Sequence, residues 1–258
     1  MRQKKLFANL VVLFATASLF GQNSIATTSV ATEAPSKTSS SHATYYIDPV
    51  PLHLNLILSP PPARDSATTA AELTELHRIE AARTPAQIAQ ARTDDHEEDI
   101  FLFETVLGQG FTAEALPITA SLSDNVRKEE SAAGGLLKKL YHRPRPYQVD
   151  STLHPVCPLN PEPTSYPSGH SLSGYLLAFT LVQLVPEKRQ QILDRADDYV
   201  HNRLICGVHY ASDVEASRRV AYAIFGAMEA SPDFQRDLAD AREETRRKLD
   251  LPLSAPQQ

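Results

Sequence analysis

The chain has 258 residues, of which 42% are hydrophobic and 22% charged, and its formal net charge at pH 7 is -6. These values suit a globular protein that buries a sizeable core, with one large domain favoured over two small ones. A chain that is acidic overall is a poor candidate for nucleic-acid binding, so any anionic ligand must be held by a local cluster of positive charge.

The first 26 residues have the order of a secretory signal peptide. Three basic residues stand among the first five positions, an apolar run covers residues 6–20, and small residues lead to Ala26. The run is shorter than the roughly 20 residues that a membrane-spanning helix needs, which disfavours an uncleaved anchor. We predict a signal peptide over residues 1–26, with cleavage after Gly21 as the alternative. The mature protein is then periplasmic or secreted, without stable membrane insertion.

Residues 27–57 are predicted to form a flexible or extended lead. The stretch 27–44 is rich in Ser, Thr and Ala and has no apolar period, as expected of a segment without a packed core. Residues 45–62 continue as an extended arm that ends in three prolines, a run that cannot be helical.

The next part of the chain, residues 58–250, is predicted to be helical, with a short tail over residues 251–258. Ser66 and Thr84 are expected to cap two helices, because their side chains accept hydrogen bonds from the first turn. Pro85 supports the second start, since proline is tolerated at the first helical position.

Further helix boundaries follow along the chain. Gly108 is expected to end a helix. Thr112 is expected to open another that bends at Pro117 and continues to about residue 143. Residues 171–185 are apolar nearly all round and predict a central buried helix, too short to cross a bilayer.

The last helices complete the predicted fold. Pro186 begins one helix, and Ser231 with Pro232 caps the final charged one. We find no convincing strand alternation and no internal repeat. The fold class is therefore predicted to be all-α, a single-domain helical bundle.

The first of three stretches that carry chemistry is "KKLYHRPRP". It contains Lys138, Lys139, Arg143 and Arg145. Cations at a helix end interact favourably with the helix dipole, which is the structural interpretation. The functional interpretation is a cluster that binds the oxygens of a phosphate, because arginine offers a planar fork and lysine a compact charge.

The second stretch is "SYPSGHS". A proline turn followed by a serine cap would explain it without chemistry. A helix N-terminus also binds anions, because its free N–H groups and the positive end of its dipole face the ligand. Gly169 would let the backbone approach an oxyanion, Ser168 adds a hydroxyl, and His170 is placed to donate a proton.

The third stretch is "NRLICGVHYASD". Arg203 is followed by His209 and, four positions later, by Asp213. On a helix this spacing would let the carboxylate accept a hydrogen bond from one ring nitrogen and leave the other free as a nucleophile. The structural alternatives are a helix cap for Asp213 and a buried histidine without function for His209.

Two cysteines are present, Cys157 and Cys206. In an oxidising compartment they would form one disulfide, closing a loop of about 50 residues. Two free buried thiols are the alternative, and predicted export favours the bond.

Taken in order, the three stretches resemble the type 2 phosphatidic acid phosphatase (PAP2) superfamily. Within it, "SYPSGHS", "RLICGVHYASDVEA", the proline run and the cysteine placement look like the secreted class A bacterial nonspecific acid phosphatases. The resemblance covers roughly residues 58–249. Asn202 departs from the class, which usually has a small residue there, and this puts the surroundings of Arg203 in doubt. Lys139 and Arg143 are not motif positions, so we expect solvated charges.

The resemblance implies a role for each motif residue. His209 would attack phosphorus to give a phosphohistidine, Asp213 would orient it, and His170 would act as general acid and then general base. The phosphoryl oxygens would be held by a further set: Lys138, Arg145, Ser168, Gly169 and Arg203. No metal and no cofactor is expected, because the cations are side chains. An acid pH optimum follows, since one histidine must be protonated while the other is neutral.

The function predicted from these roles is an exported, metal-independent acid phosphatase of broad specificity. It would hydrolyse small phosphomonoesters and could transfer the phosphoryl group to an alcohol, and it could form a homo-oligomer. A vanadium-dependent haloperoxidase and a lipid phosphate phosphatase at the membrane surface are the alternative enzymes. A phosphate-binding protein without turnover is a further alternative, which the pairing of His209 with Asp213 disfavours.

Overall fold

The computed structural model describes residues 45–253, which form helices joined by turns and short irregular segments. Its α-helices are α1 (Leu54–Ile57), α2 (Ala67–Ala82), α3 (Pro85–His96), α4 (Glu104–Leu107), α5 (Pro117–Tyr141), α6 (Pro146–Val149), α7 (Gly169–Leu184), α8 (Arg189–Ile205), α9 (Ala211–Glu229) and α10 (Pro232–Lys248). Short 3-10 helices cover Val50–Leu52, Ile100–Phe103 and Pro186–Lys188. No β-strand occurs in residues 45–253, which confirms the all-α prediction. The predicted signal peptide, residues 27–44 and residues 254–258 lie outside the described residues.

Helix α7 lies at the centre of the fold, as its apolar sequence predicted. It packs against α5, α8, α9 and α10. Its leucines are almost completely buried, and each contributes about 1.5–3 kcal/mol relative to an exposed position: Leu172, Leu176, Leu177, Leu181 and Leu184. The central helix therefore holds its N-terminus, residues 169 and 170, in a fixed place relative to four neighbouring helices. None of the helices between residues 45 and 253 is long and apolar enough to cross a membrane.

The predicted helix caps are confirmed where the structure describes them. Each capping side chain accepts a hydrogen bond from a backbone N–H in the first turn, which satisfies a donor that has no partner within the helix. The caps are Ser66, Thr84, Ser168 and Ser231. Gly108 ends α4 with φ of 96°, a conformation that favours glycine.

The predicted start of α5 differs from the structure. Residues 112–116 form turns, and α5 begins at Pro117 instead of bending there. Proline lacks an N–H, and its ring collides with a preceding carbonyl inside a helix, so it fits the first turn and not the interior. Thr112 instead stabilises the turn, where its hydroxyl lies 3.4 Å from the N–H of Ala115.

The arm before the proline run is only partly extended. The short helix α1 and the 3-10 turn Val50–Leu52 interrupt it. Its start is held to α5 by the buried carboxylate of Glu129, which accepts hydrogen bonds from the N–H groups of Tyr45 at 2.7 Å and Tyr46 at 2.6 Å. Residues 45–57 are thus attached to the helical body.

Candidate active site

One cavity of about 450 Å³ brings the three motif stretches together. It lies where the last turns of α5 and α8, the start of α6, the first turn of α7 and the turn before α9 meet. Six of the motif residues line it: Lys138, Arg145, Gly169, His170, Arg203 and His209. Its other lining residues are Asp95, Glu98, Glu130, Pro158, Leu159, Asn160 and Pro161.

His209 and Asp213 form the pair that their spacing predicted, although not on one helix. His209 precedes α9, in the turn that joins it to α8, whereas Asp213 lies in the first turn of α9. The Nδ1 atom of His209 is 3.2 Å from Oδ2 of Asp213. If Nδ1 carries the proton, Nε2 is the ring nitrogen with the lone pair, and it accepts a hydrogen bond from Arg145 Nη1 at 3.1 Å.

The surroundings of His209 favour its neutral form. The side chain is 2% exposed. Burial, and then the positive charges of Arg145, Arg203 and Lys138, hold the pKa of His209 well below its usual value. A neutral imidazole keeps the lone pair that a nucleophile needs, even in mildly acidic solution.

Asp213 is held by more donors than its motif contains. Its carboxylate accepts hydrogen bonds from Arg143 Nη1 at 2.6 Å, Ser165 Oγ at 2.6 Å and the N–H of Tyr210 at 2.9 Å. Burial raises the pKa of Asp213 to about 6, while Arg143 and the hydrogen bonds act in the opposite direction. The carboxylate therefore has a fixed orientation towards His209.

The prediction that Arg143 is a solvated charge is wrong. Its side chain is 5% exposed, pairs with Glu72 at 3.0 Å as well as with Asp213, and stacks over the ring of Tyr210. A buried guanidinium needs such partners because desolvating an unpaired charge is costly. Lys139 is exposed, as expected.

The positive side chains of the cavity have unsatisfied polar groups. Arg203 donates to Asp95 Oδ1 at 2.6 Å, and Arg145 donates to the carbonyl of Val208 at 3.1 Å. The Nε atoms of both arginines are buried without a partner among the described residues. Lys138 Nζ makes no hydrogen bond or ion pair within residues 45–253, and burial lowers its pKa. Three cations with spare donors form a site suited to an oxyanion.

The two predicted donors at the start of α7 are placed differently. Gly169 lines the cavity, whereas Ser168 is fully buried and does not. The hydroxyl of Ser168 accepts from the N–H of Ser171 at 3.3 Å and from its Oγ at 2.9 Å. Ser168 thus caps α7 and positions the backbone of Gly169.

His170 lies on the cavity wall next to two acidic residues that no motif indicated. Its Nε2 is 2.8 Å from Glu98 Oε1 and 3.1 Å from the backbone carbonyl of Asp95. His170 and then Arg127, which also contacts Glu98, hold the pKa of Glu98 at about 2. Glu98 is therefore an anion that orients His170.

Asn202, the departure from the class A pattern, does not disturb Arg203. Its side-chain amide donates to the buried carboxylate of Asp94 at 2.7 Å, which also pairs with Arg195 at 2.7 Å. Arg203 keeps its own partner, Asp95. Asn202 therefore binds Asp94, while Arg203 binds the neighbouring Asp95.

The disulfide favoured by predicted export is present. Cys157 and Cys206 are bonded, with Cα atoms 5.2 Å apart. The bond ties the segment 158–161, one wall of the cavity, to the end of α8. The same wall is held by Tyr147, whose hydroxyl donates to the carbonyl of Asn160 at 2.8 Å.

The sulfur atoms of this disulfide lie close to a carboxylate, which raises the question of a metal site. They form a cluster with the Asp95 carboxylate that has the spacing of a metal site. Because the two sulfurs are bonded to each other, they are not thiolates, the form in which cysteine binds metal ions. The donor set therefore does not suit a metal ion.

Sequence reasoning missed two kinds of contact. Arg143 and Ser165 were inside quoted motif stretches, and their position beside the assigned residues was the available signal. Glu98 lies far from the motifs in the sequence, and Glu130 lies on α5 eight positions before Lys138, outside the quoted stretches. No motif pattern pointed to either residue.

Comparison with known proteins places this cavity in a family context. Residues 130–236 match the PAP2 superfamily. The chain is 30% identical over 213 residues to an acid phosphatase of Zymomonas mobilis subsp. mobilis, a match that covers 78% of each chain. It is 35% identical over 156 residues to a non-specific acid phosphatase of Salmonella typhi, covering 58% of this chain and 62% of that relative. The chain thus spans less than two thirds of the Salmonella protein's length.

Among solved structures, a transmembrane PAP2 type phosphatidylglycerolphosphate phosphatase from Bacillus subtilis is a distant neighbour. The match has a TM-score of 0.48 and 19% sequence identity, and it covers 70% of this chain and 94% of the other. A likeness of this degree adds nothing to the assignment.

Proposed function

The chain belongs to the PAP2 superfamily, and from this premise we propose that it is an exported acid phosphatase that hydrolyses phosphate monoesters through a phosphohistidine. The observation that carries the proposal is the buried His209, which lines a cavity together with Lys138, Arg145 and Arg203. Burial and these cations hold the pKa of His209 well below its usual value. A nucleophile surrounded by cations suits a reaction in which negative charge develops on phosphoryl oxygens.

In the first proposed step, the phosphoryl group replaces Arg145 Nη1 as the partner of His209 Nε2. Nε2 then attacks phosphorus, and the bond from phosphorus to the ester oxygen breaks. His170 donates a proton to the departing oxygen, so an alcohol leaves and not an alkoxide. The positive charge that forms on the ring of His209 is stabilised by Asp213, 3.2 Å from Nδ1. The three cations and the Gly169 N–H contact the phosphoryl oxygens.

In the second proposed step, water attacks the phosphohistidine. The neutral His170 takes a proton from the water, the N–P bond breaks, and phosphate is released with both histidines restored. An alcohol that replaces the water would receive the phosphoryl group, so phosphotransfer belongs to the same proposal. No step requires a metal ion, because side-chain cations supply the positive charge.

One wall of the cavity is apolar and partly exposed, which favours contact with leaving groups of different shapes. Leu159 is 61% exposed at the mouth, and it is flanked by Pro158 on the segment held by the disulfide. An exposed apolar side chain contacts an aromatic or aliphatic leaving group without selecting for one hydrogen-bonding pattern. Broad specificity is therefore part of the proposal.

The test is a pH–rate profile on several phosphomonoesters, run with His209→Ala and with His201→Ala as a matched control on the exposed face of α8. We expect an acidic optimum, loss of at least about 100-fold in kcat for His209→Ala, and no change for His201→Ala. Retained turnover in His209→Ala would contradict the nucleophile assignment. Vanadate-dependent bromide oxidation without phosphatase activity, or release of phosphate from phosphatidate alone, would contradict the proposed activity.

A further inference from the structure

Glu130 places a carboxyl group inside the cavity. It lies on α5, eight positions before Lys138, and both side chains line the cavity. Eight positions make about 2.2 helical turns, so the two side chains lie on the same broad face of the helix. None of the roles described above uses Glu130, although it lies beside a site for anions.

The start of α7 faces both of these side chains. A Cβ atom added to Gly169 would lie 2.9 Å from Lys138 Nζ and 3.1 Å from Glu130 Oε1. A Cβ atom added to Gly134 would lie 3.1 Å from the same carboxyl oxygen. The two glycines therefore leave the space that Glu130 occupies, next to the N–H groups of α7.

The charge of Glu130 depends on groups from several elements. Burial raises its pKa to about 7, opposed first by Lys138, while Glu98 raises it further. Ser131 Oγ, at 3.2 Å from Oε2, and Arg127 on the same helix favour the ionised form. The remaining charged and titratable groups of the cavity face it from the other elements: Asp95, Arg145, His170, Arg203 and His209. Glu130 forms no ion pair with any described residue.

We propose that Glu130 is part of the anion site and admits the oxyanion only in its protonated form. The neutral carboxyl donates its O–H to an oxygen of the anion held by Lys138 and Gly169. The ionised carboxylate repels the anion and competes with it for Lys138. This inference rests on the proposed function, since it concerns the same cavity, and it assigns to Glu130 a part of the loss of anion binding at higher pH.

The test is calorimetric titration with sulfate, which keeps two negative charges between about pH 6 and about pH 8. The dependence of its affinity on pH therefore belongs to the protein. Glu130→Gln keeps the shape and a neutral donor. Asp124→Asn is the matched control, because it removes the same charge from an exposed position of α5. Thermal unfolding of each variant checks that it is folded.

For the unchanged protein we expect the Kd for sulfate to rise about tenfold from about pH 6 to about pH 8, as the ionised fraction of Glu130 grows. Glu130→Gln should bind sulfate within about threefold of the unchanged protein at about pH 6, and its rise should stay below about threefold. Asp124→Asn should retain the tenfold rise.

Three outcomes would overturn the inference. A full rise in Glu130→Gln would remove Glu130 from the anion site, even in a protein that hydrolyses phosphomonoesters, and the proposed function would then stand. Loss of the rise in Asp124→Asn as well would show a long-range effect of charge and not a contact. Absence of sulfate binding at about pH 6 in every protein would overturn this inference, whereas the proposed function would still be decided by the pH–rate profile with His209→Ala.

Discussion

Arg143 Nη1 lies 2.6 Å from Asp213 Oδ1, with both side chains buried. The carboxylate that orients the proposed nucleophile is therefore fixed by an arginine that belongs to none of the motif positions. This ion pair links the loop after α5 to the first turn of α9.

Replacing Arg143 should cost stability and activity together. Arg143→Ala leaves the buried charges of Asp213 and Glu72 without their partner, which for a buried pair costs about 3–5 kcal/mol. We expect kcat to fall as well, because Asp213 loses the contact that sets its orientation. Urea unfolding and steady-state kinetics measure both effects, with Lys139→Ala as the exposed control. Equal stability of the two variants would contradict the structural role of this ion pair.

The proposed intermediate should be trapped with a labelled substrate. Rapid acid quenching is too harsh for a phosphohistidine, so denaturation at alkaline pH is the suitable stop. With p-nitrophenyl phosphate, whose leaving group needs little protonation, we expect His170→Ala to accumulate label because the second step lacks its base. His209→Ala should carry no label. Label retained in His209→Ala would place the covalent bond on another residue.

Glu98→Gln should make His170 a less effective general acid. The carboxylate is 2.8 Å from His170 Nε2, and the low pKa of Glu98 keeps it ionised over the working range. Glutamine removes the negative charge that stabilises the protonated ring, so we expect kcat to fall about tenfold for alkyl phosphates and less for p-nitrophenyl phosphate. Glu104→Gln, exposed at the start of α4, is the control. An equal fall for both substrates would contradict a role in leaving-group protonation.

Removing the disulfide should destabilise the fold. The bond between Cys157 and Cys206 closes a sequence separation of 49 residues. Replacing both cysteines by serine should lower the free energy of unfolding by about 2–4 kcal/mol, since the unfolded chain regains the freedom that the loop removed. Urea unfolding with and without reductant measures the change. If reductant leaves the unchanged protein as stable as before, the bond does not contribute in this way.

The pH dependence of the free energy of unfolding should show the raised pKa of Glu130. Its pKa is about 7 in the folded protein and near 4.5 without burial. The unfolded chain therefore releases this proton at lower pH, and the stability that protonated Glu130 provides below about pH 4.5 is lost as pH rises to about 7. Glu130→Gln should not lose this stability. The Tm of the variant minus the Tm of the unchanged protein should therefore increase between about pH 5 and about pH 8. A constant difference in Tm would contradict the raised pKa.

Much of the local structure follows from the sequence alone. Ser66, Thr84 and Ser231 cap helices as predicted, because a cap depends on a side chain and the backbone three residues away. The apolar residues of α7 predict its central position for a similar reason, since a helix that is apolar on every side has to be buried. The three motif stretches contain six residues that line the same cavity.

The tertiary structure decided which other side chains reach that site. Arg143 meets Asp213 across 70 positions of sequence, and Glu98 meets His170 across a similar distance. Glu130 enters the cavity only because α5 packs against the start of α7 at two glycines. Contacts of this kind depend on the orientation of the helices and on the distance between them. A local pattern of residues predicts neither the orientation nor the distance. The sequence thus determined the chemistry of the motif residues, while packing determined the charges that control them.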